Sequence, residues 1–364
     1  MSENHDENVK NENTGSPGIL SPDLRSMTLP ELQDFLQELG EPKFRAGQLF
    51  SWLHEKCART PEEMTNLPAS LRQRVADGIF AAETVQVQVS AEDGTRKYLF
   101  RMPDGELVES VLLRYHHGNT VCVSSQVGCR MGCSFCASTL KGLSRSLRPS
   151  EILEQIYAIT RDTGERISNV VVMGMGEPLD NYENVLRFIE LLTCEGGLHI
   201  SQRNVTVSTC GLVPEIRKLA GEHLQITLAI SLHAATDAQR QAIMPIAKRY
   251  ALKELMEACA FYVEETGRRV TFEYSLIRGV NDTEEDAQNL SKLAKPLGAH
   301  VNLIPVNPVR ETGMQPTERG QVLAFQKKLE SRGVNATIRR ELGRDIDGAC
   351  GQLRNRNLTD ETAL

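Results

Sequence analysis

Three cysteines stand close together in the segment VGCRMGCSFCAS, where Cys129, Cys133 and Cys136 follow a C-x3-C-x2-C spacing with no histidine among them. A structural zinc site takes four protein ligands, commonly as two separated pairs, and no second pair at that spacing follows here. Iron–sulfur clusters are usually held by four thiolates, so three would leave one iron open to a small chelating molecule. The spacing therefore favours an iron–sulfur cluster, with zinc as the alternative.

The cysteine run follows a predicted strand, and from about residue 119 strands and helices alternate along the chain. Six such pairs indicate parallel strands with helices on one face. Six units do not close as eight do, so we predict an α/β fold, an open partial (β/α)6 barrel with its working loops at the C-terminal strand ends. The predicted strands are 120–125, 169–173, 204–208, 225–231, 270–276, 299–304 and a last one at 334–338. The predicted helices are 149–162, 182–193, 213–221, 251–266, 283–296 and 317–331.

Small and polar residues recur where the other predicted strands end. The second strand runs into VVMGMGEPLDN, where Gly176 permits close backbone approach and Glu177 can accept a hydrogen bond from a ligand ammonium. Taken singly, each residue has a structural explanation, such as a hydrogen-bonded core imidazole for His233. Together they indicate the mouth of a binding site. The set comprises Gly176, Glu177, Ser208, Ser231, Leu232, His233 and Asn307.

The region before the barrel has a different pattern. Residues 1–22 are polar with few aromatics, which predicts a disordered tail. Apolar residues at helical spacing predict helices within 27–82, and alternating segments separated by EDG and PDG turns predict an antiparallel meander that follows them. We expect four parts: the tail at 1–22, an accessory domain at 27–118, the barrel at 119–340, and a C-terminal loop and tail at 341–364.

The composition is that of an ordinary globular protein, with 364 residues and a net charge of −7. No secretory signal and no membrane-spanning stretch are evident, so we expect a cytoplasmic protein, in which the nine cysteines are poor candidates for structural disulfides. Cys57, Cys194, Cys210 and Cys259 fit buried core positions. Basic residues cluster in two places, which suits either a salt-paired surface or contacts with RNA phosphates. They are Lys141, Arg145, Arg148, Arg339, Arg340, Arg344, Arg354 and Arg356.

An aromatic residue, Phe135, stands directly before the last cysteine of the run. The C-x3-C-x-aromatic-C run resembles the radical S-adenosylmethionine (SAM) superfamily. The resemblance implies that Cys129, Cys133 and Cys136 hold a [4Fe-4S] cluster and that SAM chelates its fourth iron. It also implies that an electron from a flavodoxin or ferredoxin yields a 5′-deoxyadenosyl radical, and that the strand-end residues contact SAM.

Three further segments narrow the resemblance: GTRKYLFRMPDGELVESVLLRY, VCVSSQVGCRMGCSFCAS and GRDIDGACGQL. Together they resemble the RlmN-type adenine C2 methyltransferases over about residues 27–353. The resemblance implies methylation of 23S ribosomal RNA in the peptidyl-transferase centre and of the tRNA anticodon loop, with two SAM molecules per turnover. It implies that Cys350 carries the methyl group as S-methylcysteine. It further implies that Cys122 resolves a protein–RNA adduct through a transient disulfide, and that Glu109 accepts the ring proton.

Two alternatives remain open at this point. A Cfr-type relative methylates C8 of the ribosomal adenine with the same cysteines, and a zinc-stabilised RNA-binding module has no catalytic activity. Without the joint pattern, Cys122 would be a core strand cysteine, Cys350 an incidental loop thiol and Glu109 a solvent-facing strand residue. For the methyltransferase we expect an unstacked target adenine, RNA contacts from the accessory domain, and a monomer without membrane attachment.

Overall fold

The computed structural model describes residues 22–307, 309 and 311–353. The predicted tail at 1–22 lies outside the described residues except for Pro22, and so do residues 354–364, which include Arg354 and Arg356. The described residues contain ten α-helices and twelve strands.

The first three helices form a small unit before the sheet. Thr28 caps the first helix: its hydroxyl accepts from the Glu31 N–H, and the Glu31 carboxylate accepts from the Thr28 N–H. Leu32 and Leu36 are fully buried, so the apolar face predicted from the sequence turns toward the core. These helices are α1 (Leu29–Glu38), α2 (Phe44–Phe50) and α3 (Ala69–Val75).

An antiparallel meander follows, as predicted, and joins the barrel without a break in the sheet. Its strands are β1 (Glu83–Val89), β2 (Arg96–Arg101) and β3 (Leu107–Tyr115). β3 then pairs antiparallel with β4 (Gly118–Cys122), the first strand of the parallel part. The meander is therefore an extension of the barrel sheet.

Two short strands form a separate antiparallel hairpin, β5 (Gln126–Gly128) and β6 (Leu143–Ser146). The parallel part continues through β7 (Ile167–Val172), β8 (Val205–Thr209), β9 (Thr227–Ser231), β10 (Thr271–Leu276), β11 (His300–Pro305) and β12 (Ala336–Ile338). Each of these pairs with the next, and with β1 to β4 they form one ten-stranded sheet. Its edge strands β1 and β12 do not pair with each other, which confirms the open partial barrel.

Six helices between these strands match the predicted ranges to within two residues. They are α4 (Pro149–Thr163), α5 (Tyr182–Thr193), α6 (Val213–Ala220), α8 (Leu252–Thr266), α9 (Glu284–Ala294) and α10 (Arg319–Ser331), while α7 (Asp237–Ile243) was not predicted. Helix α7 has only two buried residues, which is too short an apolar pattern to recognise. None of the described helices has the length and apolar content needed to cross a membrane.

The first barrel strand is shorter than predicted. The sequence predicts a strand over 120–125, but β4 ends at Cys122. Ser125 and Gln126 both donate their N–H groups to the Met175 carbonyl beyond the end of β7 instead of continuing the ladder. The chain then enters β5, and the cysteine run lies in the loop that follows this strand.

A buried ionic cluster ties the helical unit to α4. The Arg25 and Glu154 side chains are fully buried and form a salt bridge. Arg25 also donates to the carbonyls of Ala58 and Phe80, and Arg161 pairs with Glu154 from the other side. These contacts join three separate stretches of the N-terminal region to one barrel helix.

Candidate active site

The loop after β5 carries the three cysteines of the run. Its entry requires glycine, because Gly128 has a φ of 76° and a Cβ there would lie 1.9 Å from the Gly142 carbonyl oxygen. The same carbonyl accepts from the Cys129 N–H at 3.0 Å, which closes the base of the loop. Cys129, Cys133 and Cys136 all line one cavity, named here the cluster cavity.

The cluster cavity lies at the C-terminal strand ends and has about 1000 Å³ of space free of protein atoms, part of it open to solvent. Of the seven strand-end residues predicted from the sequence, six line it. Leu232 does not line it: its side chain is fully buried, and its N–H donates to the Glu273 carbonyl. The six are Gly176, Glu177, Ser208, Ser231, His233 and Asn307.

Glu177 is buried and braces the turn after β7. One carboxylate oxygen accepts from the Leu179 N–H at 3.1 Å and the other from the Cys210 N–H at 2.7 Å. Burial raises the pKa of the Glu177 carboxyl, and these hydrogen bonds oppose the rise. The preceding Gly176 has a φ of 104°, and a Cβ there would lie 2.6 Å from the Gln126 side chain. The Glu177 carboxylate thus holds the turn after β7 through hydrogen bonds to backbone N–H groups. The same turn lines the cluster cavity.

His233 is held as a neutral imidazole. Burial, and then the Arg240 guanidinium, lower the pKa of its ring to about 3. Its Nδ1 accepts from the Ser275 N–H at 3.0 Å, and the Phe135 ring packs edge-on with centroids 4.8 Å apart. His233 therefore connects β9, β10 and the aromatic residue of the cysteine loop, as the structural explanation of this residue anticipated.

Two charged residues in the cavity wall were missed as site residues by the sequence analysis. Glu273 on β10 is 4% exposed; its Oε1 accepts from Asn302 at 2.9 Å, while its Oε2 has no hydrogen-bond partner among the described residues. Arg339, expected on the surface, lies 3.9 Å from that oxygen and lines the cavity. Burial raises the pKa of the Glu273 carboxyl, opposed by Arg339. A lone carboxylate within the apolar strand VTFEYSL was the available signal.

A second cavity, of about 560 Å³, lies beside the first and is named here the thiol cavity. Cys122, at the end of β4, lines it. Cys350 lines both cavities, so this residue stands between the cysteine loop and Cys122. The residues shared by the two walls are Met173, Ile304, Asn307, Arg339, Cys350 and Leu353.

Cys350 belongs to the C-terminal segment, residues 339–353, which crosses from β12 back to the meander. At the β1–β2 turn, the Gly343 N–H donates to Asp93 and the Ala91 N–H donates to Asp345, both at 2.9 Å. Near Cys350, its carbonyl accepts from the Asn307 side chain at 2.9 Å. The cysteine loop adds two bonds, from the Ala137 N–H to the Gly351 carbonyl at 2.7 Å and from the Ser138 hydroxyl to the Leu353 carbonyl at 2.6 Å.

The cysteines are all free thiols. All nine lie within the described residues, and none is in a disulfide. The transient disulfide that the resemblance implied between Cys122 and Cys350 is therefore not supported. Burial, and then the neighbouring Cys350 sulfur, raise the pKa of the Cys122 thiol to about 12. Of the four cysteines expected in the core, Cys57, Cys210 and Cys259 are buried and Cys194 is half-buried.

Glu109 is not a solvent-facing strand residue, since it is only 2% exposed. Its Oε1 lies 3.7 Å from the Nζ of Lys97 on β2, which is also buried. Val111 and Leu113 on the same strand line the thiol cavity, and alternate residues of a strand share a face. Glu109 thus lies on the inward face of β3, one step beyond Val111, without lining either cavity.

The basic residues near the cysteine run are largely engaged in ion pairs. Arg145 pairs with Asp104 and Glu151, and Arg148 pairs with Asp23 and Glu151. These contacts favour the salt-paired explanation for this cluster. Arg354 and Arg356 of the second cluster lie outside the described residues.

The three thiols suit a cluster better than a single ion. Zinc draws about four ligands onto one ion at roughly 2.0–2.3 Å. In the part of the chain that the structure describes, no three His, Cys, Asp or Glu side chains are arranged to hold one metal ion. An iron–sulfur cluster distributes its thiolates over separate irons, and three thiols around one roomy cavity fit that requirement. The zinc alternative has no geometric support.

Comparisons with known proteins agree with this geometry. The radical SAM superfamily model matches residues 123–290, which include the three cysteines. A crystal structure of a radical SAM methyltransferase from Sphaerobacter thermophilus, 44% identical, superposes with a TM-score of 0.88 and covers 91% of this chain and 99% of that one. Fold and cysteine loop together define a radical SAM protein, a class that implies a [4Fe-4S] cluster and SAM.

The comparisons also resolve the family within that class. The model of the ribosomal RNA large subunit methyltransferase N-terminal domain matches residues 22–80. A probable dual-specificity RNA methyltransferase RlmN from Lachnospira eligens is 58% identical over 340 residues, covering 93% of this chain and 97% of that protein. The relative of the same name from Bacillus cereus is 51% identical over 346 residues, covering 94% and 95%. The chain belongs to the RlmN family.

Proposed function

We propose that the protein is a radical SAM methyltransferase that methylates C2 of adenine in 23S ribosomal RNA and in tRNA. The observation that carries this proposal is the position of Cys350 in the walls of both cavities. A thiol there would lie between a group held by the cysteine loop on one side and Cys122 on the other. The names of the relatives, dual-specificity RNA methyltransferases, support the substrate class.

Cys129, Cys133 and Cys136 would hold the [4Fe-4S] cluster, and the six strand-end residues of the cluster cavity would bind SAM. When bound, the cluster and SAM, with two SAM molecules per turnover and an electron from a flavodoxin- or ferredoxin-type donor, supply a methyl group and a 5′-deoxyadenosyl radical. The residues of the chain position these groups, and the buried walls exclude water from the reacting atoms.

Cys350 would carry the methyl group. Adenine C2 is an electron-poor ring carbon, so direct displacement on a sulfonium methyl does not methylate it. An S-methylcysteine at Cys350 would instead deliver the carbon to the ring through a covalent protein–RNA adduct. The hydrogen bond from Asn307 to the Cys350 carbonyl holds this residue at the shared wall. Cys122, in the thiol cavity with Cys350, would release the product.

Glu109 would accept the C2 proton from the adduct. Its inward position on β3 and its burial exclude solvent from the carboxylate. A general base in such a site is effective only while it is ionised, and this requires stabilisation of its charge. The target adenine would have to leave its stack to enter the recessed mouth. The RNA substrates suit a cytoplasmic setting, and we propose that the protein acts as a monomer.

The test is an anaerobic incubation of the reconstituted protein with reductant, methyl-labelled SAM and RNA free of the modification. Nucleosides are then separated and identified by mass spectrometry. We expect labelled 2-methyladenosine from both ribosomal RNA and tRNA. Label in 8-methyladenosine would instead support the Cfr-type alternative, and a cluster-bearing protein that leaves both RNAs unlabelled would contradict the proposal.

Cysteine variants separate the roles of the two thiols. Cys350→Ala should abolish methyl transfer while the iron and sulfide content stays at the wild-type level. Cys194→Ala is the matched control, because Cys194 is also half-buried but lines neither cavity. Cys122→Ala should accumulate the protein–RNA adduct, visible as a retarded band on a denaturing gel. Unimpaired turnover in Cys122→Ala would remove this residue from the mechanism.

A further inference from the structure

Lys97 connects the strand of the proposed base to the segment that carries Cys350. Its ammonium lies 3.7 Å from the Glu109 carboxylate and 3.4 Å from the carbonyl oxygen of Asp347. We propose that Lys97 is a positioning residue that keeps Glu109 ionised while the C-terminal segment is docked. This inference rests on the proposed function, because it takes Glu109 as the proton acceptor.

Strand register brings the lysine and the carboxylate onto one face. On the β2–β3 ladder, Lys97 is opposite Val111 and Leu99 is opposite Glu109. Lys97 and Glu109 are therefore diagonal neighbours on the inward face, a distance that a long side chain spans. Both side chains are almost fully buried, at 3% and 2% exposure.

Because both side chains are buried, the electrostatic interaction between Lys97 and Glu109 is stronger than it would be in water. A buried carboxylate tends to take up a proton, whereas an ammonium within about 4–6 Å favours the charged form. Breaking such a pair from one side is costly, because the remaining charge stays buried. A base must be ionised to take a proton, so the charge of Lys97 directly serves the role of Glu109.

The C-terminal segment completes the environment of the lysine. Asp347 has a φ of 50°, an uncommon left-handed conformation for a residue other than glycine, and its carbonyl oxygen accepts from Lys97. Asp347 is three residues before Cys350, and the segment is held at the β1–β2 turn through Gly343 and Asp345. Docking of the segment therefore brings the methyl-carrying cysteine and the lysine's carbonyl partner into place together.

Among the described residues, charged and titratable groups near Glu109 include members of β2, β4 and the C-terminal segment. β2 contributes Lys97, and the C-terminal segment contributes Asp347, whose backbone carbonyl accepts from Lys97. β4 contributes Cys122, opposite Val111, which burial keeps in the neutral thiol form. Lys97 places a positive charge 3.7 Å from the Glu109 carboxylate, so its removal should shift Glu109 toward the protonated form.

Lys97→Met removes the charge and nearly preserves the length of the side chain. Methylation of Cys350 needs no ring base, so it should proceed as in the wild type. RNA methylation at neutral pH should fall about tenfold or more, with the adduct accumulating. The acid limb of the pH–rate profile should move upward by about one unit or more. Lys97→Arg should restore most of both. Lys218→Met is the matched control, since Lys218 pairs with Glu183 at 2.5 Å on the surface.

A second measurement does not depend on turnover. Infrared spectra of the cluster-bearing protein without RNA should show a protonated-carboxyl band at neutral pH in Lys97→Met. The double variant with Glu109→Gln should lack this band, and so should the wild type. An unshifted pH profile together with no such band would overturn the inference. Loss of Cys350 methylation in Lys97→Met would also overturn it, because the residue would then be merely structural. A wild-type protein that makes no 2-methyladenosine would instead contradict the proposed function. The infrared comparison would still test whether Lys97 keeps Glu109 ionised.

Discussion

Two charged clusters inside the protein differ in the number of hydrogen bonds that they make, although each leaves one buried atom, the Arg25 Nε or the Glu273 Oε2, without a partner among the described residues. In the first, Arg25 donates to Glu154 and to two backbone carbonyls, and Glu154 also accepts from Arg161 and from the Ala82 N–H. In the second, Glu273 and Arg339 are 3.9 Å apart, and the nearer carboxylate oxygen of Glu273 has no hydrogen-bond partner among the described residues. The first lies within packed elements and the second in a cavity wall.

The difference leads us to expect that the first cluster stabilises the fold and that the second, which lines the cluster cavity, serves the proposed activity. A buried network with many hydrogen bonds rigidifies the elements that it joins. A buried acceptor without a partner costs stability and persists where function needs it. We therefore expect changes in the Arg25 cluster to affect unfolding, and changes at Glu273 to affect activity with little effect on unfolding.

The largest effect on stability should come from Arg25→Met. It leaves the carbonyls of Ala58 and Phe80 buried without their donor, and removes one of the two cations beside Glu154. The free energy of unfolding should fall by about 3–5 kcal/mol. Urea unfolding of the reconstituted protein measures this, and Arg25→Lys should recover only part of the loss, because a lysine does not reach three acceptors at once. A loss of unfolding free energy below about 1 kcal/mol in Arg25→Met would contradict a stabilising role for the first cluster.

The next effect should come from acid, through the buried His54, whose Nδ1 lies 2.8 Å from the hydroxyl of Tyr157, the ring that Arg25 also contacts. Burial, and then Arg25, lower the pKa of His54 in the folded protein to about 3, whereas the unfolded value is about 6.5. Only the unfolded chain binds this proton between those values, so stability falls as pH drops below 6.5. At pH 5 the loss is about 2 kcal/mol. His233 acts with the same sign, so His54→Gln should remove about half of the acid dependence that the two histidines share. An unchanged pH dependence of urea unfolding would contradict this.

Glu273→Gln should separate stability from activity. Since burial raises the pKa of Glu273 in the folded protein, its ionisation costs stability as pH rises above the unfolded value. The amide removes that cost, so the unfolding free energy at neutral pH should rise or stay within about 1 kcal/mol of wild type. RNA methylation should nevertheless fall about tenfold or more, because the cavity loses its open acceptor. Wild-type methylation rates in this variant would show that the open oxygen has no functional role.

The smallest effect should come from an exposed pair. Arg187 lies 2.6 Å from Glu31, and both side chains are substantially exposed to solvent. Arg187→Met should change the unfolding free energy by less than about 1 kcal/mol, and added salt should reduce even that. The change in unfolding free energy in Arg187→Met is the reference with which the loss in Arg25→Met is compared. A loss comparable to that of Arg25→Met would show that burial does not set the difference.

The cluster cavity was more accessible to sequence reasoning than the thiol cavity. Its cysteines and strand-end residues lie in local motifs, and a parallel sheet brings successive strand ends to one edge. The thiol cavity depends on contacts between the C-terminal segment and the β1–β2 turn, such as Gly343 with Asp93, which are 250 residues apart in the chain. No periodicity or spacing reports such a contact, and only family resemblance linked Cys122 with Cys350.

Contacts between distant parts of the chain also explain why the positions of Glu109, Lys97 and Arg339 were not predicted. Glu109 and Lys97 alternate with apolar residues in short strands, a pattern that also fits a solvent-facing side. Lys97 contacts the Asp347 carbonyl of the C-terminal segment, and the strand pattern does not reveal such a contact. Arg339 similarly looked like part of a basic surface, and its place in both cavity walls follows from how the chain turns after β12.

The pairing of β3 with β4 sets Val111 opposite Cys122, with Glu109 two residues further along β3. The proposed base and the proposed releasing thiol therefore lie on two strands of one hydrogen-bonded ladder, so we expect their spacing to stay fixed. Cys350 sits on chain that has no ladder of its own and is held by a handful of separate bonds. We therefore expect that the movement of Cys350 between the methyl donor and the nucleobase comes from the C-terminal segment.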